Sequence, residues 1–287
     1  MLRYCLNSFG VIKVRGADRV DFLHSQFSND IKGLHCDEAC YATYNDSRGR
    51  MWANFLVCSL EDCILLILKK DLVELVIQKL KRYLFRSRVE LSDESACYIL
   101  IGMETPETRL AFPHPVKFPF LCIQEEISLP CPNGTTLQLK NHSMSPLAEE
   151  NGWNLLEIER GTAWISSATT ERCIPQMLNQ EWLGAIHFKK GCYPGQEIIA
   201  RAQYRGKVRR KPALLTATKH FPIGTLLKEK NGVEVGIIFN VAKTEQLYYY
   251  LAVVKTDSDK LLYVDETIDS EKLNREHFFL IEGDLKQ

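Results

Sequence analysis

The sequence predicts an α+β protein whose C-terminal part is all-β. Three observations carry this expectation. Residues 71–84, "DLVELVIQKLKRYL", repeat apolar side chains at helical spacing, whereas "VIKV" at 11–14 and "CILLILK" at 63–69 are apolar runs of strand length. After Pro212 the chain alternates apolar residues with Gly and Asn turns and offers no helical stretch. The 287 residues are 45% hydrophobic and 25% charged, ordinary for a globular protein and long enough for two or three domains.

The elements follow in order. "VIKV" is a strand, and Gly16 breaks it. Val20, Leu23 and Phe27 recur at helical spacing in 17–28, with Phe22 widening the stripe, so a helix follows. Residues 40–58 read as two strands around "NDSRG", a hairpin turn with Gly49. "CILLILK" is a buried strand, and 71–84 is an amphipathic helix opened by Asp71. From 95 to 142, short runs such as "CYILIG" and "FLCIQ" between Pro, Gly and Asn suggest further strands and irregular loops. A helix is expected near 146–160, with Ser145 as cap and Pro146 at the first helical position. Residues 161–188 are irregular by composition, and a second helix starts at Pro194 and stops at Gly206. The basic stretch 205–211 is a linker to a small barrel-like unit, within which "KNGVEVG" signals a hairpin.

Composition excludes several classes. The formal net charge is zero, which argues against a protein that coats nucleic acid along its whole surface and leaves a local basic patch open. The N-terminal stretch has no apolar signal-peptide core, and the longest apolar run, 63–68, is too short to span a bilayer. A soluble, cytoplasmic protein is the expectation. The ten cysteines are scattered singly, without a CxxC, so reduced thiols are expected rather than a disulfide framework or a metal site.

One cysteine stands apart. In "KKGCYPGQEIIARAQYR", Cys192 follows Lys189 and Lys190 and precedes a Pro-Gly turn and a helix. A free thiol titrates near pH ~8.5, and cations or a helix N-terminus lower that value. Local features leave two readings open: a reactive thiol, or a turn residue packed under Tyr193. Lys189, Lys190, Arg201, Arg205, Lys207, Arg209, Arg210 and Lys211 cluster here with Glu197 as the single acid between 189 and 211. Such a cluster suits RNA phosphates or a polyanionic ligand tail, or is simply a solvated linker.

The segment "KKGCYPGQEIIARAQYRGKVRR" closely resembles the K-G-C-Y-x-G-Q-E-x-x-A-R signature of the YgfZ-type folate-binding proteins, relatives of the glycine-cleavage aminomethyltransferase (T-protein) superfamily. "VRGADRVDFLHSQFSNDI", "NDSRGRMWANFLV" and "CIPQMLNQEWLGAIHFKKGC" resemble further family segments, so the likeness spans nearly the whole chain. It implies a three-domain ring around a central channel for tetrahydrofolate, with a small C-terminal β-barrel. The division expected is 1–45 plus 140–205 as a folate-binding core, 46–139 as a second α+β domain, and 206–287 as the barrel. Phe9 and Trp153 fall on aromatic positions of the superfamily's folate site, and Glu159 on its candidate pterin-binding glutamate. Tyr193 and Arg201 of the signature complete the expected ligand-contacting set. In most proteins Phe9 and Trp153 would be core aromatics and Glu159 a surface residue.

Aminomethyltransferases carry an Asp in the segment matching "RGRMWANFLV", where this chain has Ala53 and Asn54. Neither holds a negative charge, which speaks against one-carbon transfer by that mechanism. The resemblance therefore implies a tetrahydrofolate-binding accessory protein for assembly or repair of iron–sulfur enzymes, such as the radical enzyme that thiomethylates tRNA. Cys192 would be its key thiol, tuned by Lys190. The alternatives are a folate-dependent aminomethyl- or methyltransferase and an RNA-binding module using the 201–211 stripe.

Overall fold

The computed structural model describes residues 2–109, 113–124, 126–141, 147–259, 261–264 and 271–278. Its strands are β1 (Arg3–Cys5), β2 (Phe9–Arg15), β3 (Glu38–Asn45), β4 (Met51–Ser59), β5 (Cys63–Lys69), β6 (Glu90–Asp93), β7 (Ile99–Glu104), β8 (Phe118–Pro119), β9 (Leu121–Ile123), β10 (Glu126–Cys131), β11 (Thr135–Lys140), β12 (Arg210–Ala217), β13 (Leu226–Lys228), β14 (Glu234–Lys243), β15 (Tyr248–Lys255), β16 (Leu261–Val264) and β17 (Glu271–Phe278). Four α-helices accompany them: α1 (Arg19–Gln26), α2 (Val73–Lys81), α3 (Glu150–Glu159) and α4 (Gln196–Tyr204). The α+β expectation is met.

The strands form three sheets. The first runs β6-β2-β5-β4-β3-β8, and the second β1-β7-β11-β10-β9. The third runs β12-β15-β14-β13-β16-β17, with β17 pairing back onto β12. All strand pairs are antiparallel. β3 and β4 form one hairpin across position 45.

The unbroken run "CILLIL" has a simple cause. Along β5, Ile64, Leu66 and Leu68 face a core shared with Leu23 and Phe27 near α1 and Val76 and Leu80 of α2. The alternate residues Cys63, Leu65 and Ile67 face a second core with Leu129, Leu137 and Leu139 of the second sheet. A strand buried on both faces cannot alternate with polar residues. Each such side chain contributes roughly 1.5–3 kcal/mol on burial. The third sheet likewise splits its residues. Leu215, Tyr250, Ala252 and Val254 form its own core, whereas Ile237, Phe239, Leu251 and Val253 join the core around α1 and α2.

Three helix starts differ from expectation. α2 begins at Val73 after a tight turn over Lys70–Leu72, and Asp71 does not cap it. The Asp71 carboxylate instead accepts the Ser167 N–H at 2.9 Å and hydroxyl at 2.6 Å, a long-range demand invisible to local periodicity. The buried Val73, Val76, Ile77 and Leu80 keep the expected stripe. α3 starts at Glu150, and the expected cap at Ser145 and Pro146 lies outside the described residues. Before α4, Pro194 lies in the turn and Gly195 is the cap, at φ 78°. A Cβ on Gly195 would lie 2.5 Å from the Asp46 carbonyl oxygen and 2.6 Å from the Gly49 Cα, so the Pro-Gly turn packs directly on the "NDSRG" hairpin turn.

A buried polar hub joins α1 to the long 161–188 segment. The Ser28 hydroxyl donates to the Ala185 carbonyl at 2.6 Å. The Asn29 amide donates to the carbonyls of Tyr41 at 2.7 Å and Gly184 at 2.9 Å. This fastens the irregular wall that carries Trp164 and leads into the cysteine loop.

Candidate functional site

A cavity of about 510 Å³ opens where the end of β5, helix α3 and strand β14 meet. Ser8 and Lys69 form one wall, Glu150 and Asn154 a second, and Trp164 and Asn240 the others. Helix α3 is clamped to β14 by a paired contact. The Asn151 amide donates to the Lys243 carbonyl, and the Lys243 N–H donates back to the Asn151 side-chain oxygen, both at 2.8 Å.

The walls are electrostatically organised. Glu150 accepts the Ser8 N–H at 2.9 Å and also the Ser8 hydroxyl. Lys69 Nζ donates to Ser8 Oγ at 2.6 Å, lies 3.6 Å from Glu150 Oε1, and sits 3.9 Å above the centre of the Phe9 ring. Burial lowers the Lys69 ammonium below the usual lysine range, against the pull of Glu150 and Glu157. Behind Trp164 lies Glu157, fully buried on α3, whose Oε2 accepts the Trp164 indole N–H. Burial pushes the Glu157 carboxyl up to about 7, with Lys69 and the indole N–H pulling the other way. A carboxyl at that value takes up or gives back a proton near neutral pH, and its ionised form accepts N–H donors.

The expected residues are distributed unevenly about this cavity. Phe9 is buried and supports it from behind, edge-on to Trp164 with ring centres 5.0 Å apart. Trp153 does not line it. Its ring packs on Gly102, where a Cβ would lie 2.3 Å from Trp153 Cε3, and so belongs to the second core. Glu159 is exposed, about two and a half helical turns from Glu150, and therefore faces away. Glu150, Asn154 and Glu157 share the cavity side of α3 at the spacing i, i+4, i+7. Sequence reasoning missed these three, together with Lys69, Trp164 and Asn240. A signal was present: a polar stripe on a helix otherwise read for its apolar face, and one Asn inside the apolar run "VGIIFNVA".

The cysteine loop forms a separate surface. Cys192 is exposed, while Tyr193 is buried beside Ile186 and Ile199, so the thiol does not pack under the tyrosine ring. Lys190 turns inward. Its Nζ donates to the carbonyls of His24 and Phe27, the latter at 2.5 Å, at the C-terminal end of α1, and lies 4.9 Å from the centre of the Tyr193 ring. A cation there meets the negative end of the helix dipole. Burial lowers the Lys190 ammonium to about 8, opposed by Asp30, Cys40 and Cys192. His24 approaches the same loop. Its Nδ1 is 3.1 Å from Asp30 Oδ1, and a Cβ built on Gly191 would lie 3.7 Å from its Nε2. Neither Cys192 nor Tyr193 lines the cavity beside Trp164.

Arg201 lines a different groove, of about 600 Å³, with Lys207, Arg209, Arg210 and Lys255 over an apolar floor that includes Met177 and Ile198. Asp257 is its one acid. Of the pair Ala53–Asn54, both ends of the Asn54 amide are spent on backbone: Nδ2 donates to the Ala163 carbonyl, and Oδ1 accepts the Ile165 N–H, each at 2.8 Å. Asn54 thus fixes the strand of wall that presents Trp164. None of the ten cysteines forms a disulfide. Among the described residues, no group of three or more His, Cys, Asp or Glu is placed to hold a metal ion.

The chain is 29% identical over 287 residues to the "tRNA-modifying protein YgfZ" of Sodalis glossinidius, covering 90% of this chain and 87% of the relative. The chain is homologous to YgfZ. The YgfZ of Yersinia pseudotuberculosis is 29% identical over 224 residues, 71% of this chain and 68% of the relative. Among solved structures, the glycine cleavage system aminomethyltransferase T of Bartonella henselae superposes with a TM-score of 0.68 over 95% of this chain and 84% of that one, at 12% identity. The fold is therefore that of the aminomethyltransferase, and the sequence likeness runs to YgfZ. No protein-family model matches the sequence. No described helix is long and apolar enough to cross a membrane.

Proposed function

We propose that the protein is a cytoplasmic tetrahydrofolate-binding accessory factor in tRNA modification, acting through assembly or repair of iron–sulfur enzymes. The supporting observation is the cavity where Trp164, backed by the buried Glu157, meets the Lys69–Glu150 pair. Its volume of about 510 Å³ suits a drug-sized ligand, which typical pockets of ~300–1,000 Å³ enclose. A pterin is a flat ring with N–H donors along one edge. An aromatic wall and carboxylate acceptors fit that chemistry. In this reading the three sheets and their helices correspond to the three units of a folate-channel ring.

The residues divide the work. Trp164 offers ring surface and is held by Glu157 behind it, Glu150 offers an acceptor, and Lys69 keeps a cation beside it. Asn54 holds the wall in place rather than acting on the ligand, which favours binding over one-carbon transfer. Cys192 is presented at the surface, where a partner protein can reach it. A lone thiol does not hold an iron–sulfur cluster, which takes four protein ligands in the usual case, so its part is transient or shared with the partner. For direct contact with tRNA the chain offers the groove of Arg201, Arg209 and Arg210. Steeply salt-dependent tRNA affinity, lost on charge reversal of Arg209 and Arg210, tests that contact.

Isothermal titration with tetrahydrofolate tests the central reading, and absence of binding would reject it. The thiol is tested separately. Cys192→Ala should keep folate affinity while abolishing the activity of a dependent iron–sulfur enzyme in cells; unchanged activity would remove the thiol from the mechanism.

A further inference from the structure

We infer that Asn240 is a ligand-recognition residue contributed by the third sheet, its side-chain oxygen accepting an N–H donor from the bound heterocycle. The inference rests on the folate reading and adds to it a contact from the C-terminal part of the chain. Asn240 lies on β14 and is 4% exposed, and it lines the cavity. Its Oδ1 is buried without a hydrogen-bond partner. Buried polar atoms are almost always paired, so an unpaired acceptor at a cavity wall marks the place of an absent donor.

The local backbone supports this. Phe239, Asn240 and Val241 all line the cavity, although successive residues of a regular strand point to opposite faces. The register between β14 and β15 shifts between Ile238 and Asn240: Ile238 pairs with Ala252, and Asn240 with Leu251. One extra residue is thus inserted, and the bulge brings Asn240 to the wall of the cavity that α3 and Trp164 close from the other side. Bulges of this kind re-aim side chains beside binding sites. The neighbours on the strand are apolar, with Phe239 in the main core, so nothing in the strand itself calls for an amide.

The chemistry of the ligand follows from the orphaned atom. An acceptor asks for a donor, which pterins supply through ring N–H and exocyclic amino groups. Glu150, on the companion wall, is an acceptor as well. With the Lys69 ammonium already engaged by Ser8 and Glu150, these acceptors favour a donor-rich heterocycle over one that presents only acceptors.

The test compares wild type, Asn240→Leu and Asn240→Asp. Tetrahydrofolate affinity is measured by titration calorimetry and Tm of the ligand-free protein by scanning calorimetry. Asn240→Leu should bind about tenfold or more weakly, and Asn240→Asp, which keeps the acceptor, should stay within about threefold of wild type. In the ligand-free state Asn240→Leu should raise Tm, because it removes a buried unpaired polar atom; a purely structural asparagine would lower it. Wild-type binding with an unaffected Leu variant, or a Leu variant of lower Tm, overturns the role of Asn240 and leaves the folate reading standing. Absence of wild-type binding overturns the folate reading, and this inference with it.

Discussion

Trp164 donates its indole N–H to the carboxylate of Glu157, a fully buried acid one layer behind the cavity wall. Burial holds that acid at about 7, above its ordinary 4.5. The folded state therefore binds the proton more tightly than the unfolded chain. This group's contribution to stability is intact below pH 4.5 and is lost as pH rises through about 7. Glu157→Gln, whose amide oxygen still accepts the indole N–H, should leave stability near pH 4.5 almost unchanged and raise it at pH 8 by about 3 kcal/mol. Urea unfolding at both pH values checks this; an equal effect at the two would mean that Glu157 does not titrate in this window.

Lys190 satisfies two carbonyls at the end of α1. Lys190→Met keeps the length of the side chain and removes the donors, leaving buried acceptors unpaired. Such a loss costs about 2–3 kcal/mol. Chemical denaturation should show this cost together with faster amide exchange at residues 24–28. Wild-type stability would show that the ammonium is dispensable to the fold.

Gly195 meets Gly49 across two tight turns, with no room for a methyl group on Gly195 and a tight fit, 3.2 Å from Ile198 Cβ, for one on Gly49. At φ 78° and with the Asp46 carbonyl in the path of a Cβ, Gly195→Ala should destabilise by about 2–4 kcal/mol. It should also displace the start of α4 and slow or speed modification of Cys192 relative to wild type. A variant with unchanged Tm would mean that the hairpin turn yields easily.

The thiols should sort by burial. Cys40, Cys58, Cys63, Cys131 and Cys173 are buried, and burial pushes Cys40, Cys58, Cys131 and Cys173 well above the usual thiol range. Native iodoacetamide labelling followed by peptide mass mapping should modify Cys192 at least about tenfold faster than these. Labelling of Cys192 only after denaturation would contradict its place at the surface.

Much of the local structure is legible in the residues. The stripe of α2 and the hairpins at "NDSRG" and "KNGVEVG" follow from periodicity and turn chemistry. So does the strand "CILLILK". The α+β class, with strands as the regular elements after Pro212 among the described residues, follows from the same signals. The site is less legible. Trp153 and Phe9 are equally apolar in sequence, yet Trp153 goes to the core because Gly102 receives its ring, whereas Phe9 backs the cavity under Lys69. Glu157 and Glu159 stand two residues apart on one helix; the packing that rotates α3 buries the first and exposes the second.

The sequence by itself determined the elements, the turns and the likeness to YgfZ, because these depend on spacing along the chain and on residue types in fixed order. Only the folded chain settles which carboxylate is buried, where Lys190 puts its charge, and that Asn240 reaches the wall of the cavity. Those outcomes depend on contacts between segments far apart in sequence and on a one-residue bulge, and no local pattern records either.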